Sequence, residues 1–245
     1  MTTAPVESTK HRILTAISWI LAGAALVAAS AAELAPGAEL RGDGDNPADS
    51  LAYLSVAGRA YLWSGALLAL GGAALVVGAV GRLRARGEHP SSMLTHVSLV
   101  FTIISAGLLI GAGALRMQAT GTVPHIASLD PDWGAAAYLA VQMAGTQGML
   151  SAGMFTLLAV TVALSIAEWR NGMRAPLIVA VLPAIALGFL LGDLLVPGFE
   201  SLATDGVFLL YIASALLGIP LWCAVYGVSQ LAANRSARRR EMTAT

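Results

Sequence analysis

Five polar residues near the ends of long apolar segments are the best placed in this sequence to bind a ligand or to carry out chemistry. They are Asp193, Arg116, Arg59, Gln142 and Glu33. Charged side chains inside a bilayer are energetically costly, so they usually form ion pairs or line a cavity. We therefore expect Asp193 to pair with Arg59 or Arg116, and all five residues to converge on an outward-facing polar pocket. In the alternative interpretation, each side chain reaches the headgroup level along the membrane surface and forms no site.

The sequence contains no motif that assigns a catalytic residue, a metal site or a cofactor. It has no His-Glu-x-x-His zinc motif, no Gly-x-Ser-x-Gly nucleophile motif and no phosphate-binding loop. Lys10 is the only lysine and His96 the only histidine near an apolar segment, which argues against retinal and against haem held by two histidines. The segment Asp43-x-Asp45-Asn46 resembles the start of a calcium loop, but it lacks the later glutamate. We interpret it as a solvated acidic turn, and we expect no cofactor and no catalytic residue.

The elements that must position the five polar residues are six long apolar segments. Hydrophobic residues make up 57% of the chain and charged residues 11%, whereas soluble domains carry about 25% charged residues. A membrane-spanning helix needs about 20 mostly apolar residues. The predicted spans are residues 13–32, 60–80, 97–115, 135–166, 177–196 and 207–231. The sequence thus predicts an all-α polytopic integral membrane protein with six transmembrane helices in one bundle over residues 13–231, an amino-terminal tail over 1–12 and a basic tail over 232–245.

The distribution of charge between alternating loops predicts an orientation. If the amino-terminal side is called inside, the inside segments carry eleven basic and four acidic residues, and the outside segments carry three basic and ten acidic residues. The inside basic residues are Lys10, Arg12, Arg82, Arg84, Arg86, Arg170, Arg174, Arg235, Arg238, Arg239 and Arg240. Basic loops of membrane proteins face the cytoplasm, so both termini are predicted to be cytoplasmic. The first apolar segment is longer than the core of a signal peptide, which favours a retained helix over a cleaved one.

Two outside loops are longer than the others, and the sequence places them at residues 33–59 and 117–134. Gly, Asp, Asn and Pro predict turns in the first loop, followed by a short interfacial helix over residues 51–57. In the second loop, Asp130 or Asp132 is predicted to cap the start of span four, because carboxylates stabilise a helix N-terminus. Cys223 is the only cysteine, so it cannot form an intramolecular disulfide, and we interpret it as a small buried apolar residue.

Small residues and prolines inside the spans predict close helix contacts and kinks. Gly107 and Gly111 have the small-x-x-x-small spacing that lets helix backbones approach each other in lipid. Packing within one bundle is the simplest interpretation of this spacing, and a homo-oligomer or a larger membrane complex is the alternative. Pro183 and Pro220 lie inside spans five and six. Each proline removes one helical hydrogen bond and therefore predicts a kink.

Three stretches of the sequence carry a resemblance to a known family. They are Tyr61-Leu62-Trp63-Ser64-Gly65 through Arg82-Leu83-Arg84, then Ser165-Ile166-Ala167-Glu168-Trp169-Arg170 with Arg174-Ala175-Pro176, and finally Pro220-Leu221-Trp222-Cys223-Ala224-Val225-Tyr226-Gly227. In these stretches the chain resembles a bacterial family of six-span membrane proteins called domain of unknown function four-three-eight-six. The chain departs from it in an unusually acidic first outside loop and in having no acidic residue just before Trp222. The resemblance implies the architecture and a bacterial plasma membrane, and it implies no site, because the family has no established activity.

Two classes of function are compatible with these features. The first is a non-enzymatic membrane protein, either a binding or accessory subunit or a small transporter, with an outward-facing pocket for a lipid or small molecule. The second is a membrane-embedded enzyme that acts on lipid or quinone through the outer carboxylates. The first is favoured because the spans contain no nucleophile–base pair and because a proton pump would carry ionisable groups through its midplane. The expected partners are membrane lipids, including headgroups bound by the basic tail, and not nucleic acid.

Overall fold

The computed structural model describes residues 5–33, 47–85, 93–170, 172–195 and 210–244, and the regular structure in these ranges is helical throughout. Five helical stretches within them are long and apolar enough to cross a membrane. They are Lys10–Ala32, Leu54–Arg84, Met93–Leu129, Pro131–Trp169 and Leu210–Ser236. A further apolar stretch, Val181–Gly192, is shorter. The prediction of an all-α membrane protein is therefore confirmed, with five membrane-length helices in the described ranges where six spans were predicted.

Eight α-helices and two π-helical segments account for most of the described residues. The α-helices are α1 (Pro5–Glu33), α2 (Pro47–Ala85), α3 (Met93–Leu129), α4 (Pro131–Val141), α5 (Ser151–Trp169), α6 (Ala175–Val179), α7 (Val181–Leu195) and α8 (Ile219–Ala244). The π-helical segment Gln142–Leu150 joins α4 to α5, and the segment Ser214–Gly218 leads into α8. Helix α8 continues to Ala244, well beyond the end predicted for span six at residue 231.

The prediction of a loop over residues 117–134 is wrong. Helix α3 continues to Leu129 with Pro124 inside it, and α4 begins at Pro131. The physical reason is burial, because Ala119 and Val123 on one face of this part of α3 belong to a buried apolar cluster. Packing of that face stabilises the helix despite the hydrogen bond that the proline removes.

The predicted cap of span four is confirmed for Asp130. Its Oδ1 atom accepts hydrogen bonds from the backbone N–H groups of Asp132 at 2.9 Å and Trp133 at 3.4 Å. These are N–H groups that the first turn of a helix leaves without partners. The short helix predicted over residues 51–57 is part of the continuous helix α2. The acidic turn with Asp43 and Asp45 lies outside the described residues.

Regular α-helix is broken a few residues before Pro183 and before Pro220, the two prolines at which kinks were predicted. The chain turns at Ala180, between α6 and α7, three residues before Pro183. The π-helical segment Ser214–Gly218 ends shortly before Pro220. Both interruptions have one cause, because a proline lacks the N–H donor and its ring clashes with the carbonyl group four residues earlier. Predicted span five is consequently divided into two helices.

The exposed faces of α2 and α3 change character along each helix. Near the start of α3 the exposed side chains, apart from His96, are apolar, and they include Leu94, Val97, Val100, Phe101 and Ile104. Near its end they are mostly polar or small: Gln118, Gly121, Thr122, His125 and Ser128. On α2, exposed Ser55 and Arg59 precede exposed Trp63, Leu70 and Val77. An apolar exposed face suits lipid and a polar one suits water, so the change marks where each helix passes from one surrounding to the other.

The chain divides into two compact units, which we describe separately. Unit 1 comprises Met1–Ala24, Ala74–Ile104 and Met154–Thr245. Unit 2 comprises Ala25–Ala73 and Ser105–Gly153. The core of unit 1 includes Trp19, Leu99, Leu158, Trp222 and Tyr226, and that of unit 2 includes Leu54, Ala57, Tyr61, Ala119, Val123 and Tyr138. Among the described residues, the fully buried charged side chains are Glu168 in unit 1 and Arg116 in unit 2.

Candidate functional site

Arg116 is the predicted site residue that lies deepest inside the protein. Its side chain is fully buried within unit 2, on α3. Its Nη1 group donates a hydrogen bond to Ser64 Oγ of α2 at 2.8 Å. The guanidinium carbon lies 5.4 Å from the centroid of the Tyr61 ring, within the range of a cation–π contact. A hydroxyl group and an aromatic face therefore hold this cation in one orientation.

Close contact between α2 and α3 sets the level at which Arg116 meets Ser64. A Cβ atom built at Gly65 would lie 2.7 Å from the Gly113 carbonyl oxygen and 2.9 Å from Arg116 Cβ. A Cβ atom built at Gly113 would clash in turn with the Gly65 carbonyl oxygen. The two backbones can approach this closely only because glycine has no side chain. These glycines thus fix which residues of α2 face the guanidinium.

Gln142 begins the π-helical segment of unit 2, and its side chain is half-buried. The same segment contacts α3 beside Arg116, since a Cβ atom built at Gly145 would lie 3.5 Å from Leu115 Cβ. Met149, near the end of the segment, packs against Gly111 of α3. Short π-helical segments inside α-helices are frequent at functional sites. The segment therefore packs against α3 over the turn that precedes Arg116.

Of the remaining predicted site residues, Arg59, Glu33 and Asp193, the structure describes the side chain of Arg59. Arg59 is exposed on α2. Glu33 is the last residue of α1, and Asp193 lies near the end of α7, but both side chains are outside the described residues. The expected ion pair of Asp193 with Arg59 or Arg116 stays a prediction. In the described part of unit 2, Arg116 contacts Ser64 and Tyr61, which the sequence did not single out for the site.

A second buried polar cluster lies in unit 1, among residues that the sequence assigned to loop charge. Arg82 Nη2 donates a hydrogen bond to Glu168 Oε1 at 2.7 Å. The Glu168 side chain is fully buried and the Arg82 side chain is 23% exposed. The Tyr226 hydroxyl group donates to the same carboxylate oxygen at 3.1 Å. One carboxylate therefore joins α2, α5 and α8.

The end of α5 holds Glu168 in position. Gly172 has a φ of 88°, a left-handed conformation that glycine adopts without strain. Its N–H group donates to the Trp169 carbonyl group at 3.0 Å, and the N–H group of Met173 donates to the Glu168 carbonyl group at 3.1 Å. Such hydrogen bonds satisfy the last carbonyl groups of a helix. The turn after α5 thus also stabilises the helical turn that carries the carboxylate.

Three buried aromatic side chains of unit 1, Trp19, Trp222 and Tyr226, form one cluster of rings. The rings of Trp222 and Tyr226 are stacked, with centroids 4.8 Å apart and planes 10° apart. Trp19 presents its edge to both rings, at 5.8 Å from Trp222 and 5.0 Å from Tyr226. Aromatic pairs of this kind contribute about 0.5–1.5 kcal/mol each beyond the burial of their surface. The cluster keeps the Tyr226 hydroxyl group directed at the carboxylate.

Ser165 lies one helical turn before Glu168 and links the aromatic cluster to α5 and α6. The Nε1–H group of Trp222 donates to Ser165 Oγ at 2.7 Å. The same Oγ atom is 2.7 Å from the Thr161 carbonyl oxygen and 3.2 Å from the Pro176 carbonyl oxygen. The hydroxyl group therefore acts as both acceptor and donor, which a methyl group cannot replace.

We expect Ser165→Ala to destabilise the protein by about 1–3 kcal/mol, because the buried N–H group of Trp222 loses its acceptor. Thermal unfolding of the purified protein in detergent measures this change. In a Trp222→Phe background the donor is already absent, so the same substitution should have a much smaller effect. Equal effects in the two backgrounds would show that the Trp222–Ser165 hydrogen bond contributes nothing.

The unit 1 cluster was missed because Arg82 and Glu168 were counted as inside loop charges. A signal for it was present, since the three stretches that carry the family resemblance contain Arg82, Ser165, Glu168, Trp222 and Tyr226. The spacing of Ser165 and Glu168, and that of Trp222 and Tyr226, places each pair on one face of a helix. Over the described ranges, no three His, Cys, Asp or Glu side chains are grouped so that they could hold a metal ion.

In comparisons with family models, curated proteins and solved structures, nothing matches this chain.

Proposed function

We propose that this chain is a non-enzymatic integral membrane protein of a bacterial plasma membrane, acting as a binding or accessory subunit or as a small transporter. Arg116 anchors its ligand site, and the ligand is a lipid or small molecule with an anionic group. The observation that carries this proposal is the complete burial of Arg116 inside unit 2, against Ser64 and Tyr61. Ionisable residues inside membrane domains are rare, and they commonly mark the path or the site of a ligand.

The position of Arg116 along α3 supports a site near the outer leaflet. Exposed side chains of α3 are apolar from Val97 to Ile104 and mostly polar from Gln118 onward, so Arg116 lies close to the change. Its partner Ser64 follows Trp63, which is 63% exposed, and tryptophan is enriched at membrane–water interfaces. The opposite ends of the helices carry most of the arginines, so the positive-inside rule places this end outside and both termini in the cytoplasm.

Six spans remain part of the proposal. Helices α6 and α7 together with Ala180 comprise the stretch from Ala175 to Leu195. A length of about 20 apolar residues is enough to cross the hydrocarbon, even when a proline interrupts the helix. The resemblance to a bacterial six-span family supports the same number of spans and the same membrane.

An anionic group is the ligand chemistry that best fits a buried arginine. The planar guanidinium group can donate two parallel hydrogen bonds to a carboxylate or phosphate, and its hydrogen bonds to anions are about twice as strong as neutral ones. Ser64 and Tyr61 already fix its orientation. Because Arg116 has no exposed surface in this conformation, a ligand must enter when α2, α3 or the π-helical segment moves, as in a transporter that closes over its substrate. The apparent affinity then falls in proportion to the fraction of open molecules.

Lipid binding by variants of Arg116 tests the proposal. Phosphatidylglycerol, titrated into purified protein in detergent, is expected to raise the melting temperature more than neutral phosphatidylcholine. Arg116→Gln should raise the lipid concentration that gives half of this rise at least about tenfold, because a hydrogen bond to a charged group is lost. Arg116→Lys keeps the charge without the planar donor group, so it should lie between the wild type and Arg116→Gln.

Arg59→Gln is the matched control, because Arg59 is an arginine of the same unit with an exposed side chain. It should change the response much less than Arg116→Gln. Equal responses in the wild type and in folded Arg116→Gln and Arg116→Lys would overturn the proposal. A change in the mass of the added lipid after incubation would instead favour the alternative, an enzyme acting on lipid.

A further inference from the structure

Unit 1 contains three buried nitrogen atoms for which the described residues provide no acceptor, and all three are donors. The Gln230 side chain on α8 is 5% exposed, and its Nε2 group has no hydrogen-bond partner in the described part of the chain. The same holds for Arg82 Nε and for Trp19 Nε1. A buried donor without an acceptor costs about 1–3 kcal/mol, so each such group calls for an explanation, and a bound ion is one of them. Since no orphaned acceptor accompanies these donors in the described part of unit 1, the missing partner is an acceptor.

The three donors lie around the Glu168 cluster. Arg82 uses its Nη2 group on Glu168, so the unused Nε group is on a side chain that the ion pair already holds in place. Gln230 follows Tyr226 by one helical turn and shares its buried face of α8. Trp19 directs its Nε1 group at α2, since a Cβ atom built at Gly78 would lie 2.9 Å from it. Gly78 in turn lies one helical turn before Arg82.

The charge at this end of unit 1 favours an anionic acceptor. Arg82 and the exposed Arg84 lie on the last turns of α2, and the half-buried Arg12 lies on α1. Helix α1 contacts α2 at the same level, because a Cβ atom built at Gly81 would clash with Thr15, which follows Arg12 by one turn. Among the side chains that the structure describes here, Glu168 supplies the negative charge, and Arg82 pairs with it. The inside segments of the sequence carry eleven basic and four acidic residues, which favours a positive potential at this end.

We propose that Gln230 and Arg82 bind a phosphate group at this end of unit 1, either the headgroup of an anionic lipid or free phosphate. Arg82 divides its donors between Glu168 and the phosphate, and Gln230 supplies a neutral N–H group from the facing helix. Phosphate offers several acceptor oxygens, so one group can satisfy donors from two helices at once. The site is independent of the ligand site at Arg116, because it uses residues of the other unit.

Stabilisation by phosphate compounds tests this site. Melting temperatures of purified wild-type protein in detergent are measured with added sodium phosphate and, separately, with phosphatidylglycerol. Sodium chloride of equal ionic strength and phosphatidylcholine are the respective references. A rise with both indicates the phosphate group itself, and a rise with phosphatidylglycerol alone identifies the lipid headgroup. Gln230→Leu keeps the size of the side chain and removes the donor. It should raise the phosphate or lipid concentration that gives half of the rise at least about tenfold. Gln230→Glu should abolish it, because a carboxylate repels the phosphate.

Gln118→Leu is the control substitution, since Gln118 is an exposed glutamine on α3 in unit 2. It should leave the response unchanged. In an Arg116→Gln background, Gln230→Leu should still weaken the response that remains, which separates this site from the one in unit 2. No rise above the two references in the wild type would overturn the proposal and leave the donors to internal water. Equal responses in the wild type and in folded Gln230→Leu and Gln230→Glu would overturn it as well.

Discussion

Replacing Arg82 with methionine is expected to destabilise the protein by about 3–5 kcal/mol, one of the two largest effects we expect from a single substitution. The cause is the Glu168 carboxylate, which is fully buried and loses the cation that lies 2.7 Å away. The attraction between the two charges is strong at this position because little water is near to screen it. Unfolding of the purified protein, followed by the fluorescence of buried Trp19 and Trp222, measures the change.

Three further variants separate the ion pair from general damage. Glu168→Leu should be less destabilising than Arg82→Met, because Arg82 is 23% exposed and can recover water. The double variant should be more stable than Arg82→Met, since two apolar side chains of similar volume can replace a buried ion pair at little cost. Arg84→Gln, at an exposed position of the same helix, should change stability by at most about 0.5 kcal/mol. A double variant as unstable as the sum of the single variants would contradict this account.

Introducing a side chain at Gly227 is expected to have a comparable effect. A Cβ atom there would lie 2.5 Å from the Ala16 carbonyl oxygen and 2.7 Å from Ile20 Cγ1, both on α1. Gly23 makes the reciprocal contact, because a Cβ atom built on it would clash with the Pro220 carbonyl oxygen ahead of Gly227 on α8. Since backbone atoms cannot rotate away, α1 and α8 must separate. Overpacking costs about 1–3 kcal/mol for small additions, so Gly227→Ala should fall in that range and Gly227→Leu above it.

Gly107→Ala, in contrast, is expected not to destabilise the protein. Nothing lies within 4 Å of a Cβ atom at Gly107, which is in the interior of α3. Alanine is favoured over glycine in a helix by about 1 kcal/mol, so this substitution should stabilise the protein or leave it unchanged. Melting temperatures of the three glycine variants in one detergent test both expectations. A destabilising Gly107→Ala together with a neutral Gly227→Ala would show that the helix faces are assigned wrongly.

The apolar spans were predictable because their signal is long and strong. A stretch of about 20 apolar residues is rare outside a membrane helix, and no local detail changes its interpretation. The error over residues 117–134 has the opposite origin, since that stretch is not apolar and contains two glycines and two prolines, which favour turns. Its helical state depends on burying Ala119 and Val123 against other helices, which local sequence does not reveal.

The glycines at which helices pack closely could likewise be predicted only in part from the sequence. Spacing singled out Gly107 and Gly111, and Gly111 does face Met149, but Gly107 has open space around it. Helices α2 and α3 approach each other closely at Gly65 with Gly113 and at Gly72 with Ala106. Spacing along a helix identifies residues that share a face, but it does not state which face meets a neighbour. That depends on the rotation of each helix, which all of its contacts set together.

Only the charged residue of the candidate site was predictable from the sequence. Arg116 was conspicuous as an arginine at the edge of a span, whereas Ser64 and Tyr61 resemble any other polar residues in an apolar helix. The pairing of Arg82 with Glu168 joins residues 86 positions apart. The residues next to Arg82 and Glu168 in the sequence give no sign of this ion pair. The positive-inside rule already accounted for both charges as loop residues. Charge counts alone therefore conceal buried ion pairs near the membrane surface.

The change from an apolar to a polar exposed face along α3 means that two solvents stabilise this chain. With 37 residues, α3 is about 55 Å long, and even a tilt of about 40° leaves it longer than the hydrocarbon thickness of about 30 Å. The apolar cluster of Tyr61, Val123 and Tyr138 on its polar-faced end is therefore held together by the hydrophobic effect, as in a soluble protein. Helices within lipid lack that driving force and associate through close packing and polar contacts. Cold and urea, which weaken the hydrophobic effect, therefore act first on the polar-faced end of α3 that follows Arg116.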